Sequence, residues 1–352
     1  MTEHSVVGLP HTVRDTSDHL NTIGEELAKY YFTREEDDTL KKALDRLVKN
    51  AKQSPEARAI VVSGESGAGK STLLGRAFRK HPAFPNFEDE GCQLLSVQVP
   101  SPCTLEELGR EICEAAGYPF LGNSRSASVW RAVRNQLKAE GIRYLHLDEV
   151  QNLTETVDKN EGKKVRNTLR AMLIRKKHPV ALVLSGPPVI VEFLRQDNQI
   201  RRRSEFVAIE SLRQDDGEIL VDTIKALAEE AGVGTEAHLA MDTVPRLMHA
   251  ALRQFGTAVD IARCAILAAA GSRYRAEGEI AAEPCLTGAH FANEFAIRTG
   301  NAGFANPFVT PDWQALDCSL VQVTKIDGLA SPSDGEDDGS KPIRRRRKGA
   351  RQ

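Results

Sequence analysis

Residues 59–72 read AIVVSGESGAGKST, and no other stretch restricts the fold as much. An apolar, β-branched run enters a turn with glycines at 64, 67 and 69, and a helix-forming segment, KSTLLGRAFRKH, continues over 70–81. Gly64 to Ser71 fits GxxxxGK[ST] with a strand before it and a helix after it, the setting of a phosphate-binding loop. Glycines let successive backbone N–H groups face one side and form an anion nest. A helix starting at Lys70 adds the positive end of its dipole. Gly64, Glu65, Ser66, Gly67, Ala68, Gly69, Lys70, Ser71 and Thr72 are therefore the expected ATP-binding residues. Lys70 is expected to reach the terminal phosphates, and the Ser71 hydroxyl to ligate Mg²⁺. The bland alternative, a chance Gly-Lys-Ser in a structural turn, does not account for the flanking strand and helix.

The rest of the chain fits this start. Apolar strand patterns recur at 92–99, 142–150, 179–188 and 205–212, the last as an edge strand. Helical periodicity separates them, at 33–52, 104–117, 126–141, 162–177 and 189–203. Strands alternating with helices imply a three-layer α/β fold around a parallel sheet. From residue 214 the pattern is helical only, which reads as a lid ending near 299. The expected organisation is a polar N-terminal arm over 1–33, an α/β core over 34–213, the lid over 214–299 and a C-terminal extension over 300–352. That extension carries NPF and PDW, which suit either a docking peptide or a strap over the lid. Its Gly, Ser, Asp and Arg-rich end, from 328, is expected to be disordered.

The strand YLHLDE ends in two acids. The carboxyl ends of parallel strands open onto the ligand crevice. Asp148 is expected beside the metal, through water, and Glu149 as the general base that polarises the attacking water. Adjacent carboxylates at the end of a buried strand are costly unless a cation faces them; the alternative is a solvated strand end. Ser185 ends the strand VALVLSG and could bond the γ-phosphate or the water, or merely close the strand. Arg201, Arg202 and Arg203 precede the edge strand and point away from their own phosphate loop. Across a subunit interface one of them could act as a trans arginine finger, with Arg203 favoured and Arg202 next; the alternative is a solvated basic helix end.

The order GESGAGKS, LHLDE, LSG and IRRR followed by a helical lid resembles an AAA+ ATPase of the initiator-like branch. Within that branch the chain resembles the TniB/TnsC transposition regulators, relatives of the Mu B protein. The phrases TLKKALDRLVKNAKQSPEAR, RKHPAF, VQVPSP with TLEELGREICEAAGYP, and HLDEVQNL before LRAMLIRKKHPVALVLSG carry this narrower likeness, which spans about residues 25–300. It implies an ATPase that oligomerises as rings or filaments on double-stranded DNA. It also implies recruitment or activation of a transposase, with a target-selection adaptor as a further partner. One departure stands out. Lids of this class carry a sensor arginine in a Gly-x-x-Arg setting, whereas this chain reads Gly256-Thr257-Ala258-Val259-Asp260, with Arg253 and Arg263 nearest.

By analogy with ring and filament ATPases, Arg125, Arg131 and Arg134, and Lys163, Lys164 and Arg166, are candidate DNA contacts. A solvated helix face explains any one of them equally well. Overall charge is nearly balanced at −2, which excludes a uniformly basic nucleic-acid binder but not a local patch. Residues 331–352 carry seven bases against four acids, +3, so the remainder carries −5. The tail KPIRRRRKGARQ is the densest basic run and could bind DNA, dock a transposase or have no fixed partner. Six scattered cysteines without a CxxC pair suit reduced thiols. No apolar run nears the ~20 residues that span a bilayer, and the N-terminus lacks a signal-peptide layout; a cytoplasmic protein is expected. The competing functions are a helicase loader or replication initiator, and a nucleotide-switch defence or signalling ATPase.

Overall fold

A computed structural model of the chain describes residues 11–85, 87, 91–119, 126–154, 159–272 and 283–319, without the side chains of 11–17 and 159. Five strands, β1 (Ala59–Ser63), β2 (Leu94–Gln98), β3 (Tyr144–Asp148), β4 (Ala181–Gly186) and β5 (Ser204–Ala208), form one sheet. Their order is β2-β3-β4-β1-β5, and every neighbouring pair is parallel. Central strands of a parallel sheet are covered on both faces and read as unbroken apolar runs. β1 and β4 are accordingly buried at every position, while the edge strands β2 and β5 are only partly so.

The helices of the core are α2 (Glu35–Gln53), α3 (Lys70–Lys80), α4 (Leu105–Ala115), α5 (Ser126–Ala139), α6 (Lys159–Leu173), α7 (Val189–Arg195) and α8 (Asn198–Arg203). α2 begins with four acids and ends with Lys52, which suits the helix dipole, and buries Leu40, Ala43, Leu44, Leu47 and Val48. The sequence pattern over 189–203 reads as one helix, but the structure breaks it into α7 and α8. The break is set by Asp197, whose carboxylate accepts from the N–H groups of Gln199 and Ile200 and from Arg170 Nη1 at 3.0 Å. A side chain that satisfies the first N–H groups of a new helix fixes where it starts.

The lid comprises α9 (Gly217–Glu230), α10 (Val244–Ala250), α11 (Phe255–Ser272) and α12 (Gly288–Thr299), with a two-residue parallel pair, β6 (Gly234–Thr235) and β7 (Cys285–Leu286). Its own core gathers Leu220, Ile224, Leu247, Ile261, Phe291 and Phe295. The stretch DTVPRLMHAALRQFG, 242–256, reads as one helix in the sequence, but α10 stops at Ala250. Leu252 and Arg253 adopt left-handed backbone angles, φ 51° and 58°, which turn the chain so that α11 starts afresh. α11 is long and apolar enough to cross a membrane, yet its Ala258, Ile261, Ala262, Ala265 and Ile266 are buried inside the lid.

Residues 11–29 form a helix, α1 (His11–Lys29), with Leu20, Ile23 and Leu27 at helical spacing against the lid core. A mostly polar sequence hides three apolar residues on one face. Residues 300–319 of the C-terminal extension form a strap. Asn306 is fully buried and donates to Ala292 O at 2.7 Å and Asn301 O at 3.0 Å. Phe308 stacks on Phe291 with ring centres 5.6 Å apart, and Trp313 meets His249 at 5.3 Å. NPF and PDW therefore anchor chain over the lid. The basic tail lies outside the described residues.

Candidate nucleotide site

The phosphate loop joins β1 to α3. Gly67 and Gly69 have φ of 78° and 93°, which side-chain-bearing residues rarely adopt. A Cβ at Gly69 would meet open space, so the cradle is accessible from that side. Lys70 is buried, and its ammonium donates to Gly64 O at 2.9 Å and Glu65 O at 3.1 Å. Burial lowers its pKa, opposed by the charges of Glu149, Asp148 and Glu65. Ser71 and Thr72 are exposed on the first turn of α3.

Asp148 is the hub of the site. Its Oδ2 accepts from Ser71 Oγ at 2.7 Å, and its Oδ1 from Ser185 Oγ at 2.6 Å and from Glu149 N at 3.0 Å. Burial pushes its pKa up, but the bonds from Ser185 and Ser71, with nearby His146 and the backbone N–H, outweigh that and hold the carboxyl below its ordinary value. An ionised carboxylate touching a P-loop serine hydroxyl is the oxygen donor set a hard divalent cation takes, so Mg²⁺ fits here. Glu149 follows with a left-handed backbone, φ 56°. Its carboxylate accepts a bond from Gln151 Nε2, so the expected general base is held by its own turn.

The lid rests on the loop. Thr257 N donates to Gly67 O at 3.0 Å, and a Cβ at Gly256 would fall 2.5 Å from that same oxygen. Val259 stands, buried, where a Gly-x-x-Arg pattern would place arginine, and Arg263 donates to Tyr30 O at 2.6 Å.

The arginines ahead of β5 lie at the end of the sheet opposite the phosphate loop, because Ala59, the first residue of β1, pairs with Ser204, the first of β5. Arg203, favoured from sequence, is engaged within its own chain. It bonds Glu56 at 2.7 Å and lines a groove of ≈ 270 Å³ with Arg46, Arg58 and Glu205. Arg201 and Arg202 are exposed. Among the DNA candidates, Arg125 lies outside the described residues. Arg131 on α5 and Lys163 on α6 are exposed. Lys164 pairs with Glu161, and Arg166 covers the Phe193 ring at 4.7 Å. Burial, then the charges of Arg175 and Arg131, lower the pKa of Arg134.

Sequence reasoning missed three contributors. His146 sits beneath Asp148, Gln151 holds Glu149, and Gln254, 3% exposed, packs near Gly67 with a side-chain carbonyl that has no hydrogen-bond partner among the described residues. Only His146 left a visible signal, an imidazole in an otherwise apolar strand.

The family model described as "Bacterial TniB protein" matches residues 29–214. No curated protein matches the chain by sequence. Among solved structures the chain is similar to Cdc6p from Pyrobaculum aerophilum, with TM-score 0.56 and 12% identity over 79% of this chain and 70% of that one. It is also similar to the ORC1 protein of Aeropyrum pernix in complex with DNA, with TM-score 0.54 and 20% identity over 74% of this chain and 65% of that one, just under two thirds of its length. At these identities the likeness is one of fold, the AAA+ P-loop sheet with a helical C-terminal region.

Proposed function

Because the chain belongs to the TniB family, we propose that it is an ATP-hydrolysing, DNA-binding regulator of transposition that assembles on double-stranded DNA and recruits or activates a transposase. The family match carries this reading, since it spans the phosphate loop, Asp148, Glu149, Ser185 and the arginines before β5.

In this reading Gly64 to Thr72 wrap the triphosphate, and Lys70 exchanges its two loop carbonyls for phosphate oxygens. Ser71 and Asp148 would hold Mg²⁺, which would neutralise charge on the phosphate oxygens. Glu149 leaves Gln151 and takes a proton from the attacking water. Ser185, expected from sequence at the γ-phosphate or the water, instead keeps Asp148 in place. Arg202 or Arg201, exposed at the far end of the sheet, reaches a neighbouring subunit's phosphate; the half-exposed Arg203–Glu56 pair is weak enough to exchange. Arg131, Lys163, Lys164 and Arg125 contribute sequence-independent phosphate contacts to DNA.

The test is ATP hydrolysis with and without double-stranded DNA. Hydrolysis stimulated by DNA, abolished by Lys70→Ala, with Glu149→Gln still binding nucleotide, is the expected result. Hydrolysis indifferent to DNA in a protein that does not bind DNA would point to a signalling ATPase instead.

A further inference from the structure

Four polar side chains run in one line through the apolar sheet. Ser96 on β2 and His146 on β3 are paired directly in register, and Ser185 on β4 stands level with Asp148, one step beyond the Leu147–Leu184 pair. Residues two apart share a face of a strand, so all four lie on one face. That face is covered by α3, whose Phe78 ring meets the His146 ring at 5.2 Å. Ser96 Oγ lies 2.8 Å from His146 Nδ1, and His146 Nε2 lies 2.9 Å from Ser185 Oγ.

The line has a fixed polarity. Asp148 Oδ1 can only accept from Ser185 Oγ, 2.6 Å away, so the single Ser185 proton belongs there; the other acceptor in reach, Leu147 O, is at 3.4 Å. His146 Nε2 must then be the donor to Ser185. The neutral ring, 4% exposed, has Nδ1 left as an acceptor, which takes the Ser96 proton. Every donor and acceptor is satisfied in one direction only, Ser96 to His146 to Ser185 to Asp148.

We infer that His146 is a positioning residue for ATP hydrolysis. Its Nε2–H occupies the lone pair of Ser185, commits that hydroxyl to Asp148 Oδ1 and thereby leaves Oδ2 turned toward Ser71 and the phosphate loop. A buried imidazole kept only for packing would leave the direction of the Ser185 proton immaterial. Removing a group that orients a metal-site carboxylate through its partner costs about 10-fold or more in activity.

This inference rests on the proposed ATPase activity, and the experiment keeps the two apart. In ¹⁵N-histidine-labelled protein without nucleotide, NMR reads the His146 tautomer with no turnover required. Steady-state hydrolysis is then measured for His146→Leu, His146→Gln, Ser185→Ala and His146→Leu with Ser185→Ala, with thermal melting as the check on folding. Gln keeps a donor near the Nε2 position. The expected results are the Nε2–H tautomer, a kcat about tenfold lower for Leu with unchanged nucleotide affinity, near-normal kcat for Gln, and no further loss from Leu in the Ser185→Ala background. An Nδ1–H tautomer, a Gln variant as slow as the Leu variant, or an undiminished Leu effect in the Ser185→Ala background would each overturn it. A wild-type protein that shows the tautomer but hydrolyses no ATP would overturn the ATPase reading instead.

Discussion

A histidine 4% exposed between two hydroxyls stays neutral where a solvated one would charge. Burial drives the His146 pKa from its ordinary 6.5 down to about 4, against a weaker pull from Asp148. The unfolded chain therefore binds an extra proton between those values, and stability rises with pH across that window. Metal-free protein should lose about 3 kcal/mol on acidification from pH 6.5 to 4 through this one group. Melting temperatures over that range, wild type against His146→Gln, measure it; a slope unchanged by the substitution would contradict the assignment. Residues at this scale were unevenly legible. Lys70, Ser71, Asp148 and Ser185, which the structure brings together, stood out in the sequence because phosphate and metal chemistry calls for such types at such spacings. His146 and Gln151 did not, since their roles come from register across β2, β3 and β4 and from the turn after β3, which no linear spacing encodes.

Among the elements, the contact between α11 and the phosphate loop couples lid to core. Gly256 lies so close to Gly67 that a methyl group would fall 2.5 Å from its carbonyl oxygen. Gly256→Ala should destabilise the protein by about 1–3 kcal/mol, the cost of overpacking a tight contact. Gly303→Ala, whose Cβ would meet open space, should stay within about 0.5 kcal/mol of wild type. Chemical denaturation of both variants decides it, and equal stabilities would mean that the lid does not rest on the loop in solution. The strands and most core helices could be read from sequence because their apolar periods are long. The breaks between α7 and α8 and between α10 and α11 could not. Asp197 caps the start of α8 and is held in place by Arg170, 27 residues away in sequence, and Leu252 and Arg253 turn left-handed without a glycine to signal it. The polar sequence of α1 likewise hid a helix that is held by the lid rather than by its own pattern.

For the whole molecule, the phosphate loop and the arginines of α8 lie at opposite ends of one sheet, so no single subunit can bring them together. Under the proposed function, a trans arginine would come from a second copy, and the exposed cations would line a DNA track. In the proposed reading, subunits that stack head to tail along a duplex would supply both. The most direct measurement is negative-stain imaging of the purified protein with double-stranded DNA, with and without a slowly hydrolysed ATP analogue. Rings or filaments on DNA only when the analogue is present are the expected result; monomers that ignore DNA under both conditions would contradict it.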